Sequence, residues 1–137
     1  MSKLTRFSVS VDSTLLDRFD RQIKKDKYPT RSKAITDLIA ESLVKHEWAS
    51  GTEVTAAIVM VYDHQKRDLS NKLTHIQHDY HHEVVSSQHI HMDHNNCLEI
   101  VVARGKPETI QELAHKLKGT KGVKYTSLAS ASTGKVL

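Results

Sequence analysis

Histidine and cysteine side chains that can bind a metal ion are concentrated in one short stretch of the chain. Seven of the ten histidines fall within residues 75–94, and the single cysteine, Cys97, follows closely; the seven are His75, His78, His81, His82, His89, His91 and His94. One cysteine cannot form an internal disulfide, so a chemical role for Cys97 depends on its thiolate. Imidazole nitrogens and a thiolate together predict a transition-metal site.

The spacing around Cys97 predicts where this site forms. His89 and His91 are two residues apart in a predicted strand, so their side chains lie on the same face. Residues 93–96 form a turn sequence, after which Cys97 begins the neighbouring antiparallel strand. Two imidazoles and a thiolate would therefore share one hairpin, and candidates for a fourth ligand lie at the end of the preceding helix: His75, His78, His81 and His82.

These ligand types leave the metal open. Three nitrogens and one sulfur suit Ni(II) or Cu(II) in planar geometry and Zn(II) or Co(II) in tetrahedral geometry. The three histidines outside the cluster, His46, His64 and His115, are interpreted as ordinary surface residues.

The second half of the chain has the pattern that would position such a hairpin. Strands are predicted over 54–62, 84–92, 97–103 and 123–129, and helices over 66–80 and 107–117. This βαββαβ order is the ferredoxin-like arrangement. Both faces of the first strand are apolar, whereas helices can cover only one face of the sheet. The other face is therefore expected to contact another subunit, in an oligomer larger than a dimer.

The first 48 residues predict a strand and two helices. Residues 1–11 alternate between apolar and polar side chains, as a strand with one face of each kind does. A helix follows the capping candidates at 12–14, and a second begins after Thr30 and runs to about Trp48. Residues 49–53 are predicted to be a linker between a domain over 1–48 and another over 54–137.

The N-terminal unit is too small to bury its apolar surface alone, so we expect it to dimerise. Two copies of the strand would form an antiparallel β-ribbon with Arg6, Ser8 and Ser10 on its exposed face, a shape that fits the DNA major groove. Arg31 and Lys33, near the N-terminus of the second helix, are predicted phosphate contacts. The net charge of +4 permits nucleic-acid binding.

Other features narrow the class of protein. No apolar run is long enough to span a bilayer and the N-terminus has no leader pattern, so a soluble, cytoplasmic protein without membrane contact is predicted. The mixture of predicted strands and helices makes its fold class α+β. No nucleophile and base pair is evident, so we do not expect an enzyme.

The motifs of both halves together resemble one family. The strand, helix, helix order with R-S-x-A-I-x-x-L over 31–38 is similar to ribbon-helix-helix repressors. Combined with Q-H-x10-H-x-H-x5-C from Gln77 to Cys97, and with matching segments at 62–69 and 121–124, it resembles the nickel-responsive transcriptional regulators, NikR, over essentially the whole chain.

The resemblance implies an N-terminal ribbon-helix-helix domain followed by an ACT-type ferredoxin-like domain. It implies a homotetramer in which two DNA-binding dimers flank four metal-binding domains. Gln77 and Glu99 would support the metal ligands, and the strand positions of Arg6, Ser8 and Ser10 would read bases of a double-stranded DNA operator. The implied Ni(II) ligands are His89, His91 and Cys97 of one subunit and His78 of a neighbour.

One departure from the family lies in the second helix. Many relatives carry an acidic pair four residues apart there, near the interface between domains, where it helps to bind a cation such as potassium. Here the pair is Lys33 and Asp37. Side chains four apart share a helix face, so we expect Lys33 to supply the charge that a bound ion would bring.

The function implied is a Ni(II)-activated repressor of nickel-uptake genes. A copper-, cobalt- or zinc-responsive regulator on the same scaffold is the alternative. An ACT-like small-molecule sensor is another, but it would leave the histidine and cysteine cluster unexplained.

Overall fold

The computed structural model describes residues 3–137. The chain divides into two compact units, one ending at Glu41 and the other beginning at Ser42. Among the described residues, no helix is long and apolar enough to cross a membrane.

The N-terminal unit is built on two capped helices. Helix α1 spans Ser13–Lys25 and helix α2 spans Arg31–Ser50. The Asp12 carboxylate accepts hydrogen bonds from two backbone amides at the start of α1. The Thr30 hydroxyl accepts one from the amide of Lys33, at 3.1 Å. Each cap satisfies amides that lack a partner within the helix. The predicted helix starts are therefore confirmed.

The strand predicted over residues 1–11 is not formed in the part of it that the structure describes. Residues 3–12 have no regular secondary structure and are exposed, including Leu4, Phe7, Val9 and Val11; Met1 and Ser2 lie outside the described residues. A strand requires hydrogen bonds to a neighbouring strand, and the neighbour expected here belongs to a second chain. The prediction is wrong for the single chain for that reason.

The C-terminal unit is a four-stranded antiparallel sheet with two helices. Its strand order is β2-β3-β1-β4. The predicted βαββαβ order is confirmed, with each boundary within two residues of its expected place. The elements are β1 (Val54–Tyr62), α3 (Arg67–Asp79), β2 (Val84–His91), β3 (Cys97–Gly105), α4 (Pro107–Lys118) and β4 (Val123–Ser130).

The core lies on one face of this sheet. Alternate residues of β1 and β3 are buried and join Leu69 and Leu73 of α3 and three large side chains of α4 in one cluster. On the opposite face, Ile90, Val102 and Tyr125 are exposed. The apolar periodicity of the strands thus positions the cysteine-bearing strand against the helices.

Helix α2 extends beyond the unit boundary. The Trp48 side chain packs against the core of the C-terminal unit, and its indole Nε1 donates to the backbone oxygen of Ala131 at 2.7 Å. Only Gly51, Thr52 and Glu53 separate the helix from β1. The last turns of α2 are therefore part of the C-terminal unit, and the predicted linker is reduced to three residues.

Candidate metal centre

The β2–β3 hairpin places the predicted ligands of one chain on the same face of the sheet. His91 pairs with Cys97 and His89 pairs with Glu99 across the two strands. The Asp93 carboxylate closes the turn by accepting hydrogen bonds from the backbone amides of Asn95 and Asn96 at 2.9 Å. Residues that pair across antiparallel strands point to the same face. All four side chains therefore lie on the helix-covered face of the sheet.

Cys97 and His89 lie closest together. The Cys97 Sγ is 3.9 Å from the His89 Nδ1. Cys97 is fully buried because it pairs with the buried Tyr62 at the end of β1, whereas the His89 side chain, on an edge strand, is half exposed. The pair thus has a protein-facing sulfur and an accessible imidazole.

A buried carboxylate supports this pair. Glu99 is 1% exposed, and its two oxygens accept hydrogen bonds of 2.5 Å from the Tyr62 hydroxyl and from Gln77 Nε2. Its Oε1 also lies 3.3 Å from His89 Nε2. Burying a carboxylate is costly unless such donors surround it. Glu99 Oε1 therefore lies beside Nε2 of His89, whereas the Cys97 Sγ lies nearest to Nδ1.

Tyr62 is a member of the site that the sequence reasoning missed. Its hydroxyl is 3.2 Å from His89 Nδ1 in addition to its contact with Glu99. Burial, and then the hydrogen bond to Glu99, raise the pKa of the Tyr62 hydroxyl far above its ordinary value, so it keeps its proton. Its position in the sequence could have indicated this role, because the last residue of β1 pairs with Cys97 in the neighbouring strand.

His91 is engaged elsewhere in the single chain. Its ring stacks on that of His64, with centroids 4.1 Å apart and an angle of 4° between the planes. The His64 Nε2 is 3.4 Å from the backbone oxygen of Asp93. His64, interpreted from sequence as an ordinary surface residue, therefore contacts a predicted ligand.

His78 lies apart from His89 and Cys97. It is exposed in the last turn of α3, while the adjacent Gln77 reaches inward to Glu99. Within residues 3–137, no three histidine, cysteine, aspartate or glutamate side chains converge closely enough to hold a metal ion. The described part of the chain thus brings His89 and Cys97 together but does not complete a ligand set.

The remaining histidines of the cluster lie apart from this pair. His75 is 3.9 Å from Asp79, one turn along α3. His81 and His82 pack against each other with ring centroids 4.0 Å apart, and His94 contacts Gln65. None of these contacts reaches Cys97.

The donors that do converge fit a nickel ion. An imidazole nitrogen and a buried sulfur are both good ligands for late first-row divalent metals. A carboxylate that contacts the other nitrogen of a ligating imidazole fixes the ring and raises its basicity. The Glu99 network is such an arrangement, found on residues of this chain.

The predicted DNA-contacting residues lie in the N-terminal unit. Arg6, Ser8 and Ser10 are in the exposed segment before α1. Arg31 forms a two-pronged ion pair with Asp20 of α1. Lys33 Nζ lies 2.5 Å from Asp37 Oδ1, so the expected pair forms. The contact raises the pKa of Lys33 and lowers that of Asp37.

Comparisons with known proteins place the chain in a family. Residues 55–131 match the family model described as the NikR C terminal nickel binding domain. A relative from Syntrophus aciditrophicus is 52% identical over 136 residues, covering 99% of each chain. One from Chlorobium limicola is 48% identical, covering 98% of this chain and all of the relative. Both carry the name "putative nickel-responsive regulator".

A solved structure is similar in fold to part of the chain. An uncharacterized protein from Thermotoga maritima superposes with a TM-score of 0.51 and 14% sequence identity, covering 57% of this chain and 96% of that one. At this identity the likeness concerns the fold alone.

Proposed function

This chain belongs to the family of nickel-responsive regulators, and we propose that it is a DNA-binding repressor of nickel-uptake genes that Ni(II) activates. The family is one of regulators, which agrees with the prediction that the chain is not an enzyme. Ni(II) is the metal of the matched domain. The observation that carries the proposal is the Cys97 and His89 pair, backed by buried Glu99.

We propose that a second chain completes the ligand set, in a homotetramer built as a dimer of dimers. Two facts support this: no complete set converges within residues 3–137 of one chain, and His78 is exposed. His89, His91 and Cys97 of one chain and His78 of another would hold Ni(II), which would link the two chains. In the structure of the single chain, the ring of His91 stacks on that of His64.

The residues around the site connect its two sides. Gln77 precedes His78 on α3 and donates to Glu99 on β3, which in turn contacts His89. A displacement at the end of α3 would therefore move the carboxylate that lies beside His89. Through these contacts, binding of a metal ion at His89 would bias the position of α3, the helix that carries His78.

The N-terminal unit is proposed to be the DNA-binding part. Residues 3–12 carry exposed apolar side chains at Phe7, Val9 and Val11, which pairing with a second copy would cover. Arg6, Ser8 and Ser10 would then face the major groove, with Arg31 and Lys33 near the phosphates. DNA affinity would depend on nickel because the metal stabilises one arrangement of the C-terminal units.

The proposal is tested by nickel loading followed by DNA binding. The metal-free protein is titrated with Ni(II) while its absorption spectrum is recorded, and its affinity is measured for a duplex selected from a random-sequence pool by the loaded protein. We expect thiolate charge-transfer bands and tighter DNA binding on loading, both lost in Cys97→Ala.

The same titration distinguishes the alternatives. DNA affinity that is unaffected by Ni(II) would contradict the proposal. Because Cu(II) binds such sites more tightly than Ni(II) in general, the alternatives are judged by the size of the response. Tighter DNA binding with Cu(II), Co(II) or Zn(II) at saturation, and none with Ni(II), would favour a regulator of that metal. His115→Ala, which removes a histidine on α4, is the control and should load like wild type.

A further inference from the structure

Arg31, the first residue of α2, is held by a carboxylate of the other helix. Its Nε donates to Oδ1 of Asp20 at 3.0 Å, and its Nη2 donates to Oδ2 at 2.8 Å. A two-pronged contact of this kind fixes the plane of the guanidinium as well as its position. The side chain of Arg31 is 53% exposed and that of Asp20 is 38% exposed, so the guanidinium is accessible to a ligand.

The contact leaves most of the guanidinium available. Of its five N–H donors, Asp20 uses two, so three remain. The first amides of α2 also lack partners within the helix; the Thr30 hydroxyl takes that of Lys33, which leaves those of Arg31 and Ser32. Guanidinium donors that Asp20 does not use and amides that Thr30 does not use thus lie at the same helix end, which favours the binding of a phosphate group.

We propose that Asp20 is a positioning residue for DNA binding, which orients Arg31 so that its remaining donors contact a backbone phosphate. The inference rests on the proposed function, since it requires that the N-terminal unit binds DNA. It assigns a favourable role to a negative charge placed near a polyanion. If Asp20 only repelled the DNA phosphates, its removal would strengthen DNA binding. If Asp20 positions Arg31, its removal should weaken DNA binding, so the direction of the change distinguishes the two.

The direction of the change in DNA affinity is measured with two variants of α1, each of which removes one negative charge. Asp20→Ala is expected to weaken binding to the selected duplex about two- to fivefold, the range of an exposed ion pair. It should also reduce the slope of log affinity against log salt by about 0.9, the loss of one phosphate contact. Asp17→Ala removes an exposed carboxylate that does not contact Arg31, and is expected to leave binding unchanged or slightly tighter.

A double-mutant cycle tests whether Asp20 acts through Arg31. In an Arg31→Ala background, Asp20→Ala should cause no further loss. Equal losses in both backgrounds would overturn the positioning role. Asp20→Asn keeps the side-chain volume with one acceptor oxygen and should fall between wild type and Asp20→Ala, which separates positioning from a folding defect.

Two results therefore have different meanings. If nickel-loaded wild type binds the selected duplex and Asp20→Ala binds it as tightly or more tightly, the positioning role is wrong and the proposed function stands. If nickel-loaded wild type binds no duplex, the proposed function is wrong and the role of Asp20 fails with it.

Discussion

Gln77 of α3 donates from Nε2 to Oε2 of Glu99 on β3 at 2.5 Å, and this bond links the helix that carries one proposed ligand to the strand that carries another. Gln77 lies beside His78, and Glu99 lies two residues from Cys97. The bond also satisfies half of a buried carboxylate.

Removing this hydrogen bond should weaken nickel binding although neither residue is a proposed ligand. We expect Gln77→Ala to lower Ni(II) affinity about 10- to 100-fold, the usual cost of losing a group that orients metal ligands. Competition against a chelator of known affinity measures it. Gln111→Ala, on the exposed face of α4, is the control. Wild-type affinity in Gln77→Ala would mean that the bond serves the fold alone.

Removing a proposed ligand should have a larger effect. Cys97→Ala and His89→Ala are each expected to abolish tight Ni(II) binding, because each removes one of the four proposed ligands. His46→Ala should bind nickel as wild type does. The same chelator competition measures all three proteins. Tight binding by Cys97→Ala would exclude the proposed site.

Arg6 is expected to supply sequence specificity. Arg6→Ala should reduce discrimination between the selected duplex and a scrambled one, at a cost of about 1 to 3 kcal/mol for one base contact. Affinities for both duplexes are compared at one salt concentration, since the phosphate contribution varies with salt. Equal weakening on both duplexes would instead make Arg6 a phosphate contact.

The Lys33 and Asp37 pair should make DNA binding insensitive to the type of monovalent cation. The ammonium lies against the carboxylate, where we propose that it replaces a bound ion. Affinity is compared in potassium and in a bulky organic cation at equal ionic strength, so that counterion release largely cancels. Lys33→Glu is expected to create a potassium requirement. A strong requirement in the wild type would refute the idea.

Tyr62→Phe should reduce the slope with which the free energy of unfolding falls at alkaline pH. Burial, and then Glu99, raise the pKa of Tyr62 in the folded protein, whereas in the unfolded chain its hydroxyl ionises near pH 10. The stabilisation is therefore fully present below pH 10 and declines above it, by up to about 1.4 kcal/mol per pH unit.

Urea unfolding between about pH 9 and 11 measures this term, with Tyr125→Phe, which removes an exposed hydroxyl, as the control. Tyr62→Phe is expected to be less stable than wild type at neutral pH because Glu99 loses a donor. An identical pH slope in wild type and Tyr62→Phe would contradict the prediction.

Much of the fold was predictable because its signals are local. The Asp12 and Thr30 caps, the alternating strands and the turn at Asp93 each depend on residues a few positions apart. The closeness of His89 and Cys97 follows from that turn, since hairpin register is determined by loop length. These features needed no knowledge of distant contacts.

Other features depend on residues far apart in the chain. The end of α2 joins the C-terminal unit because Trp48 bonds to Ala131, 83 positions away. Periodicity did not reveal the contact of Tyr62 with Glu99 or the stacking of His91 on His64. The strand expected over residues 1–11 is not formed in residues 3–11, and we propose that it forms only on pairing with a second chain.

The sequence by itself therefore determined the order of the elements in the C-terminal unit, the caps of α1 and α2, and the hairpin that carries His89 and Cys97, because short-range sterics and hydrogen bonding govern each of them. Only the tertiary structure decided which side chains surround Glu99 and which histidines stay apart from Cys97. Those contacts depend on how α3 packs across the sheet, and packing depends on the shape of the whole core rather than on spacing along the chain.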